Sequence, residues 1–358
     1  MNSALHTLQN LPYVTDYFLN AGYYQVLKAK CKNKEKENWQ NLFTKSLSYE
    51  LHRCIGLSHQ VDNSSMVMRP SSFREKCSAI DFMWGETRQQ DAQEFFSFLL
   101  NRLIEESGSE VQFIPGSSVH MIGSKINQNK SVKNSIVELM AISTWQNYYK
   151  KEYSFLVELF SGMNHSLLEC QVCGHVSHSF YPYNMIPIQI PFKNTAEEFT
   201  IYQCFDNLIK EEKLDFRNKV ECEMCMVKNE ATKKLMLWQT PKILVLHINR
   251  FHKDMYGNIN TKINNKVNYP IRNLDLSKYF SNYCNQKSNS KYDLFSVILH
   301  QPLLSAASIN HGHYTAMIKN RQDDKWYIFN DSSKPIEVTN ENDVINKNAY
   351  LLFYCRHN

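Results

Sequence analysis

The hydrophobic pattern changes character along the chain. Through residues 1 to 104 apolar side chains recur at helical spacing, most clearly over Asp91 to Ile104, where Phe95, Phe96, Leu99, Leu100 and Leu103 fall three and four positions apart. Asp91 and Glu94 have the D-x-x-E spacing of a capping box at the start of that helix. From about Ser107 to Lys151 the chain turns Gly-, Ser- and Asn-rich with weak periodicity, which predicts an elaborated surface region within one domain. After Phe155 short β-type runs are punctuated by Gly174, Pro182, Pro187 and Pro191, with a charged helical stretch expected near Glu211 to Leu214. The C-terminal third is the most strand-like: Ile243 to Ile248, Leu294 to His300, Tyr314 to Lys319 and Trp326 to Phe329 are runs rich in β-branched and aromatic residues. No internal repeat is present, and the Lys-rich KAKCKNKEKE near Cys31 reads as a solvated helix face or loop.

Composition narrows the function classes. In 358 residues, 43% hydrophobic and 21% charged, the chain can bury a large core and is neither disordered nor fibrous. A net charge of +5 is too slight at this length to predict nucleic-acid or membrane binding. No apolar run approaches a membrane span, and MNSALHTLQNLPYVTDYF carries no basic leader region or small-residue cleavage site, so a soluble chain without a secretory signal is expected.

Ten cysteines change the picture, because four of them stand in two C-x-x-C pairs, Cys170/Cys173 and Cys222/Cys225. Two such knuckles offer four soft thiolates to one tetrahedral Zn²⁺ and leave no open coordination position, which points to a structural zinc site and away from a zinc hydrolase. His175 and His178 lie close in sequence, but four cysteines already complete such a site. Six scattered cysteines fit core thiols in a reducing compartment.

A second constellation carries chemistry. Gly312-His313-Tyr314-Thr315-Ala316 leads, after the polar turn Asn320 to Lys325, to Trp326-Tyr327-Ile328-Phe329-Asn330-Asp331. A hairpin of these runs puts His313 within two residues of register with Asn330. An Asn or Asp oxygen can then accept from one imidazole nitrogen and leave the other free to deprotonate a nucleophile, the orienting logic of Cys-His-Asn proteases. Gly312 would let a substrate backbone pass close by.

GHYTAMIKN with WYIFNDS resembles the histidine box of the ubiquitin-specific proteases, the papain-like deubiquitinating cysteine peptidases. LVLHINRF resembles their LIIHLKRF strand, RQQDAQEFFSFLL their QQDAHEFL helix, and the segments around both C-x-x-C pairs their zinc-bearing finger region. The resemblance runs from Met1 to near Cys355 and implies an α+β fold of thumb, fingers and palm in a single domain, with a helical thumb over 1–155, fingers with zinc mainly over 156–240, and a palm sheet over 241–358. It implies thiol-dependent hydrolysis after the terminal Gly of ubiquitin. His313 would be the general base, Asn330 the third member of the triad, and Asp331 a neighbour that helps hold the imidazole or the oxyanion. Asp91, Glu94, Gly312 and Tyr314 would contact the substrate tail, the carboxylates through charge-assisted hydrogen bonds and Tyr314 as a wall. Zinc would be the only cofactor, ubiquitin and ubiquitinated proteins the partners, and the protein an intracellular monomer of a eukaryotic cell or of an agent replicating inside one.

Met1-Asn2-Ser3-Ala4-Leu5 matches the residues downstream of the nucleophile in the family's cysteine box, so the catalytic Cys is expected just ahead of Met1. Cys31, flanked by Lys28, Lys30, Lys32 and Lys34, is the one remaining cysteine whose neighbours would favour a thiolate, but by the family's order it falls well after the active-site helix and its lysine run reads as solvated, so no other cysteine is expected to serve as the nucleophile. A catalytically inactive, ubiquitin-binding form of the same fold is the alternative. After His300-Gln301-Pro302 the chain departs from the family with LLSAASINHG, an expected longer loop over the site.

Overall fold

The computed structural model describes residues 1–60, 70–86, 88–112, 132–191, 197–253, 259–284, 290–302 and 312–357. The loop expected over the site, at 303–311, and part of the weakly periodic region, at 113–131, lie outside the described residues. The front of the chain is helical: α1 (Asn2–Asn10), α2 (Pro12–Leu19), α3 (Tyr24–Lys34), α4 (Trp39–Thr44), α5 (Leu47–Gln60), α6 (Ser71–Ile80), α7 (Ala92–Ser107), α8 (Val132–Tyr149) and α9 (Phe155–Phe160), with α10 (Ile201–Leu208) later. The strands are β1 (Gly162–Cys170), β2 (Val176–Tyr183), β3 (Ile186–Gln189), β4 (Phe199–Thr200), β5 (Glu212–Leu214), β6 (Val220–Cys222), β7 (Val227–Asn229), β8 (Ala231–Gln239) and β9 (Ile243–Asn249). They continue as β10 (Phe251–Lys253), β11 (Ile259–Lys262), β12 (Val267–Asn268), β13 (Leu274–Asp275), β14 (Lys291–Pro302), β15 (Gly312–Lys319), β16 (Trp326–Phe329), β17 (Ile336–Val338) and β18 (Ala349–Arg356).

Helix α7 forms where its periodicity predicts. Asp91 caps it, its Oδ1 accepting from the amides of Gln93 (2.6 Å) and Glu94 (3.3 Å). Its inner stripe of Phe95, Phe96, Leu99, Leu100 and Leu103 is buried, each side chain contributing roughly 1.5–3 kcal/mol. Phe96 packs edge-on against Phe353 of β18 at 5.1 Å, which docks the helical half on the large sheet. That sheet runs β17-β16-β15-β14-β18-β9-β3, with β13 also paired to β14. All its pairings are antiparallel except β3 with β9. Strand β18 is buried from Ala349 to Tyr354. Helix α1 lies on the sheet with Ala4, Leu5 and Leu8 buried and a Thr7–Ser296 hydroxyl pair at 3.0 Å.

A second, antiparallel sheet, β2-β1-β8-β5, projects as a finger. At its base His165 is fully buried, stacked 4.6 Å from Phe180, with Nδ1 2.8 Å from Ser281 Oγ and Nε2 3.0 Å from His178 Nδ1.

Two expectations change. The weakly periodic stretch contains an 18-residue helix, α8, whose Val137, Ala141, Trp145 and Tyr149 are buried while Ile136, Leu139, Met140 and Tyr148 are exposed. Apolar residues on both faces erase the one-sided pattern that signals a helix. Glu211 to Leu214 holds a strand, β5, where a helix was expected, because pairing Glu212 to Leu214 with β8 overrides local charge and propensity. Strand β3 pairs in parallel with β9 and so belongs to the large sheet.

Candidate active site

Hairpin β15–β16 pairs Ala316 with Phe329, Met317 with Ile328 and Lys319 with Trp326, closed by a turn in which Asn320 N donates to Lys325 O. Continued past Ala316 and Phe329, that register sets Asn330 opposite Thr315, with His313 two positions further along and diagonally across. Their side chains meet: His313 Nε2 lies 2.7 Å from Asn330 Oδ1. With Nε2 donating, Nδ1 carries the free lone pair. Asp331 Oδ2 stands 3.8 Å from the same Nε2, and its Oδ1 accepts from Asn2 Nδ2 at 2.7 Å. Asp331 adopts φ 45°, a left-handed turn that Asp tolerates better than most residues. His6, one helical turn beyond Asn2, packs 5.1 Å from Phe329. Burial lowers its pKa, while a hydrogen bond to the Asp331 backbone opposes the shift.

His313, Asp331, Asn2 and His6 border a cleft of about 810 Å³ between the helical half and the sheet, lined also by Met1, Ser3, Gln89, Gly312 and Tyr314 among others. The amino group of Met1 is held below its ordinary pKa by burial, against the pull of Asp331 and Asp91. No described cysteine lines the cleft. Cys31 falls with Leu27 on the buried face of α3, away from the flanking lysines, so burial and Glu106 push its thiol up, opposed only by Lys34. Burial likewise pushes Cys54 and Cys204 up to about 11 and Cys77 and Cys355 up to about 12. The lysines that flank Cys31 in sequence therefore do not make it a thiolate-prone side chain.

Gly312 begins β15, and its amide donates to Gln89 Oε1 at 3.0 Å. The fold supplies a reason for this glycine that no sequence pattern carries: a Cβ here would stand 2.0 Å from Nε2 of His300. His300 is 4% exposed and packed between Tyr314 (4.7 Å), Phe251 (5.4 Å) and Tyr350 (6.0 Å). Burial pulls the pKa of His300, and that of neighbouring His247, down to about 4. Both rings are neutral at pH 7.

Asp91 is not on the cleft lining. Its Oδ2 accepts from Tyr350 OH at 2.6 Å and from Tyr314 OH at 3.2 Å. Glu94 is exposed on the first turn of α7. Tyr350 and Gln89 are the side chains that sequence reasoning missed. Gln89 lies inside the RQQDAQEF motif and could have been found there, whereas Tyr350 sits in the apolar run AYLLFY and reads as core.

The four cysteines of the two knuckles converge, with all their sulfurs within 4.8 Å of one another. Cys170 and Cys225 Sγ are 4.0 Å apart, and Cys173 and Cys222 Sγ 3.6 Å. A tetrahedron with bonds of about 2.3 Å places its corners about 3.8 Å apart, so this set could hold a metal ion such as zinc. Each knuckle closes with a left-handed residue, Gly174 (φ 67°) and Met226 (φ 57°), whose amides donate to Cys170 O and Cys222 O. The backbone amides of Cys173 and Val172 hold the Cys170 thiol below its ordinary pKa, while the crowding of the other three sulfurs pushes Cys225 up to about 12, so the four do not all ionise on their own and it is the convergence of the sulfurs that fits a metal. His175 faces Glu223 at 3.8 Å and His178 turns to His165, so neither histidine joins the sulfurs.

Among known proteins, a family model described as ubiquitin carboxyl-terminal hydrolase matches residues 1–354. The chain is 28% identical over 376 residues to ubiquitin carboxyl-terminal hydrolase 4 of Saccharomyces cerevisiae, covering 99% of this chain and 38% of that protein. It is 31% identical over 301 residues to ubiquitin carboxyl-terminal hydrolase 21 of Homo sapiens, covering 82% of this chain and 50% of the relative. A probable ubiquitin carboxyl-terminal hydrolase of Acanthamoeba polyphaga mimivirus is 29% identical over 325 residues, covering 82% of this chain and 67% of the relative. The chain thus spans well under half the length of the yeast relative. Among solved structures, the SAGA Ubp8/Sgf11/Sus1/Sgf73 DUB module bound to ubiquitin aldehyde matches over 100% of this chain and 67% of that chain, with a TM-score of 0.69 at 22% identity, a likeness of fold.

Proposed function

Since the chain belongs to the ubiquitin carboxyl-terminal hydrolase family, we propose that its cleft receives the C-terminal tail of ubiquitin and that its chemistry is thiol-dependent hydrolysis of the bond after the terminal Gly. The observation that carries this reading is the 2.7 Å contact of Asn330 with His313, whose ring lines the cleft. Asn330 accepts from Nε2 and fixes the tautomer. Nδ1 of His313 takes the proton of a cysteine thiol, whose sulfur attacks the carbonyl carbon of the terminal Gly. The imidazolium then returns that proton to the leaving amine, and water, deprotonated by the same nitrogen, releases the acyl-enzyme. Gly312 and Tyr314 border the tail, and Asp91 and Glu94 attract its positive charge.

The nucleophile belongs, on this reading, to a residue just ahead of Met1. Met1, Asn2 and Ser3 line the cleft with His313, so chain preceding Met1 would enter where the base stands. The cluster of Cys170, Cys173, Cys222 and Cys225 would hold a structural zinc that ties the finger knuckles together and supplies no catalytic step. Thiols and zinc of this kind fit a reducing, intracellular compartment of a eukaryotic cell or of an agent replicating there.

The cleft lining, with a base and no described cysteine, favours one second reading, a module that binds ubiquitin without cleaving it. A ubiquitin probe with a C-terminal electrophile tests the two. It is expected to label a chain extended to include the residue before the Met-Asn-Ser-Ala-Leu segment and to leave the 358-residue chain unlabelled. Labelling of the shorter chain would show that another cysteine serves, and an unlabelled extended chain that still binds ubiquitin would establish the second reading.

A further inference from the structure

We infer that Tyr350 is a positioning residue for the substrate tail, holding the Asp91 carboxylate in place, and that Tyr314 occupies the acceptor position which the tail takes over. The inference rests on the reading that Asp91 receives that tail. It starts from the fact that every acceptor direction of Asp91 is used. Oδ1 serves the amides of Gln93 and Glu94 at the helix start, and Oδ2 serves two tyrosine hydroxyls. A carboxylate oxygen has about two lone-pair directions, so a bound cation or amide must displace one of these four donors.

The four are not equally replaceable. The two amides are fixed by α7 itself. Tyr350 donates from beneath, from a side chain 2% exposed on the buried strand β18, at 2.6 Å. Tyr314 donates from the cleft side, from a residue that lines the cleft, at 3.2 Å. The longer bond is on the side from which substrate arrives. A tail arginine or backbone amide that reaches Oδ2 therefore replaces the Tyr314 hydroxyl, while Tyr350 keeps the carboxylate aimed outward. The hydroxyl displaced from Tyr314 has a ready partner, because the two tyrosine rings are 5.7 Å apart and their hydroxyls share the same oxygen.

The surroundings leave this work to the hydroxyls. His300 and His247, which pack against Tyr350 at 6.0 and 4.8 Å, are neutral at pH 7 and bring no charge to Asp91. Without the Tyr350 hydroxyl, the lone pair it served faces a ring 2% exposed and packed among His247, His300 and Tyr314. The carboxylate then turns away from the cleft to regain a donor.

The two tyrosines thus predict effects of opposite sign. Titration calorimetry of the 358-residue chain with ubiquitin, and with ubiquitin lacking its C-terminal tail, reads both. Tyr350→Phe is expected to weaken binding of intact ubiquitin about tenfold, the loss of one charge-assisted hydrogen bond, and Tyr314→Phe to tighten it about two- to fivefold. Neither variant changes binding of the tailless form. Wild-type affinity for Tyr350→Phe, or an equal loss in both variants that persists without the tail, would overturn the inference alone. Binding by the unaltered chain that does not depend on the tail would overturn the reading of Asp91 and this inference with it.

Discussion

Replacing Gly312 by Ala adds one methyl group at the start of β15, where the backbone needs no left-handed conformation, so any effect comes from what the methyl meets. It meets Nε2 of His300 at 2.0 Å, about half an ordinary contact distance. His300 cannot step aside, because its ring is enclosed by Tyr314, Phe251 and Tyr350. Overpacking of this kind costs about 1–3 kcal/mol, against which the stiffer unfolded chain returns about 0.4–1 kcal/mol. The net expectation is a loss of about 1–2 kcal/mol in urea unfolding. A double-mutant cycle isolates the cause. His300→Ala alone leaves a cavity and destabilises by a few kcal/mol, but in its presence the methyl added by Gly312→Ala clashes with nothing. The pair should therefore fall short of the sum by at least about 1 kcal/mol, in the range of contacting residues. Additivity within about 0.5 kcal/mol would refute the steric account and leave Gly312 only the close approach of a substrate backbone as its reason.

The zinc assignment predicts that Cys170→Ser releases one equivalent of zinc from purified protein, read by elemental analysis; full retention with the fold intact would contradict a four-cysteine site. Burial holds His165, His247 and His300 near pKa 4 in the folded state, against about 6.5 unfolded. Between those values the unfolded chain binds more protons, so stability is lost as pH falls from about 6.5 toward 4, on the order of 1–2 kcal/mol per histidine by pH 5. An unchanged urea midpoint between pH 7 and pH 5 would contradict three buried neutral rings. In a chain that carries the proposed thiol, His313→Gln should lower kcat by about 10²–10⁴ while the 358-residue chain with the same change still binds ubiquitin in calorimetry. Asn330→Ala should cost less, because Asp331 stands close enough to turn toward Nε2.

The legibility of the sequence divides along physical lines. Strands β9, β14, β15 and β16 coincide with β-branched and aromatic runs because each crosses the sheet interior or its hairpin without interruption. Helix α7 is legible twice, from its stripe and from the Asp91 cap. Helix α8 is hidden because Ile136, Leu139, Met140 and Tyr148 are exposed opposite its buried face, and β5 because pairing with β8, not composition, makes it a strand. At the site, hairpin arithmetic alone brings His313 to Asn330. It cannot show that Gly312 is required by His300, since the two stand on different strands and meet only through the β14–β15 pairing. Nor can it find Tyr350, because a core aromatic and a hydrogen-bond donor to Asp91 have the same sequence signature.

The geometry also separates two neighbours that the sequence leaves in competition. Asn330 and Asp331 are adjacent, polar and both within reach of His313, and either could serve as orienter in the proposed reaction. Asn330 makes the 2.7 Å contact with Nε2, whereas Asp331 stands at 3.8 Å and commits its other oxygen to Asn2 on α1. The left-handed φ of 45° at Asp331 turns the chain there, so that consecutive side chains serve different elements, one the histidine strand and the other the helix across the cleft. Asp331 is thus placed to fasten the end of β16 to the first turn of α1, assisted by His6 packed on Phe329. In the proposed chemistry that fastening fixes the distance between the base and the first turn of α1, the one dimension of the site that no contact within the β15–β16 hairpin can set.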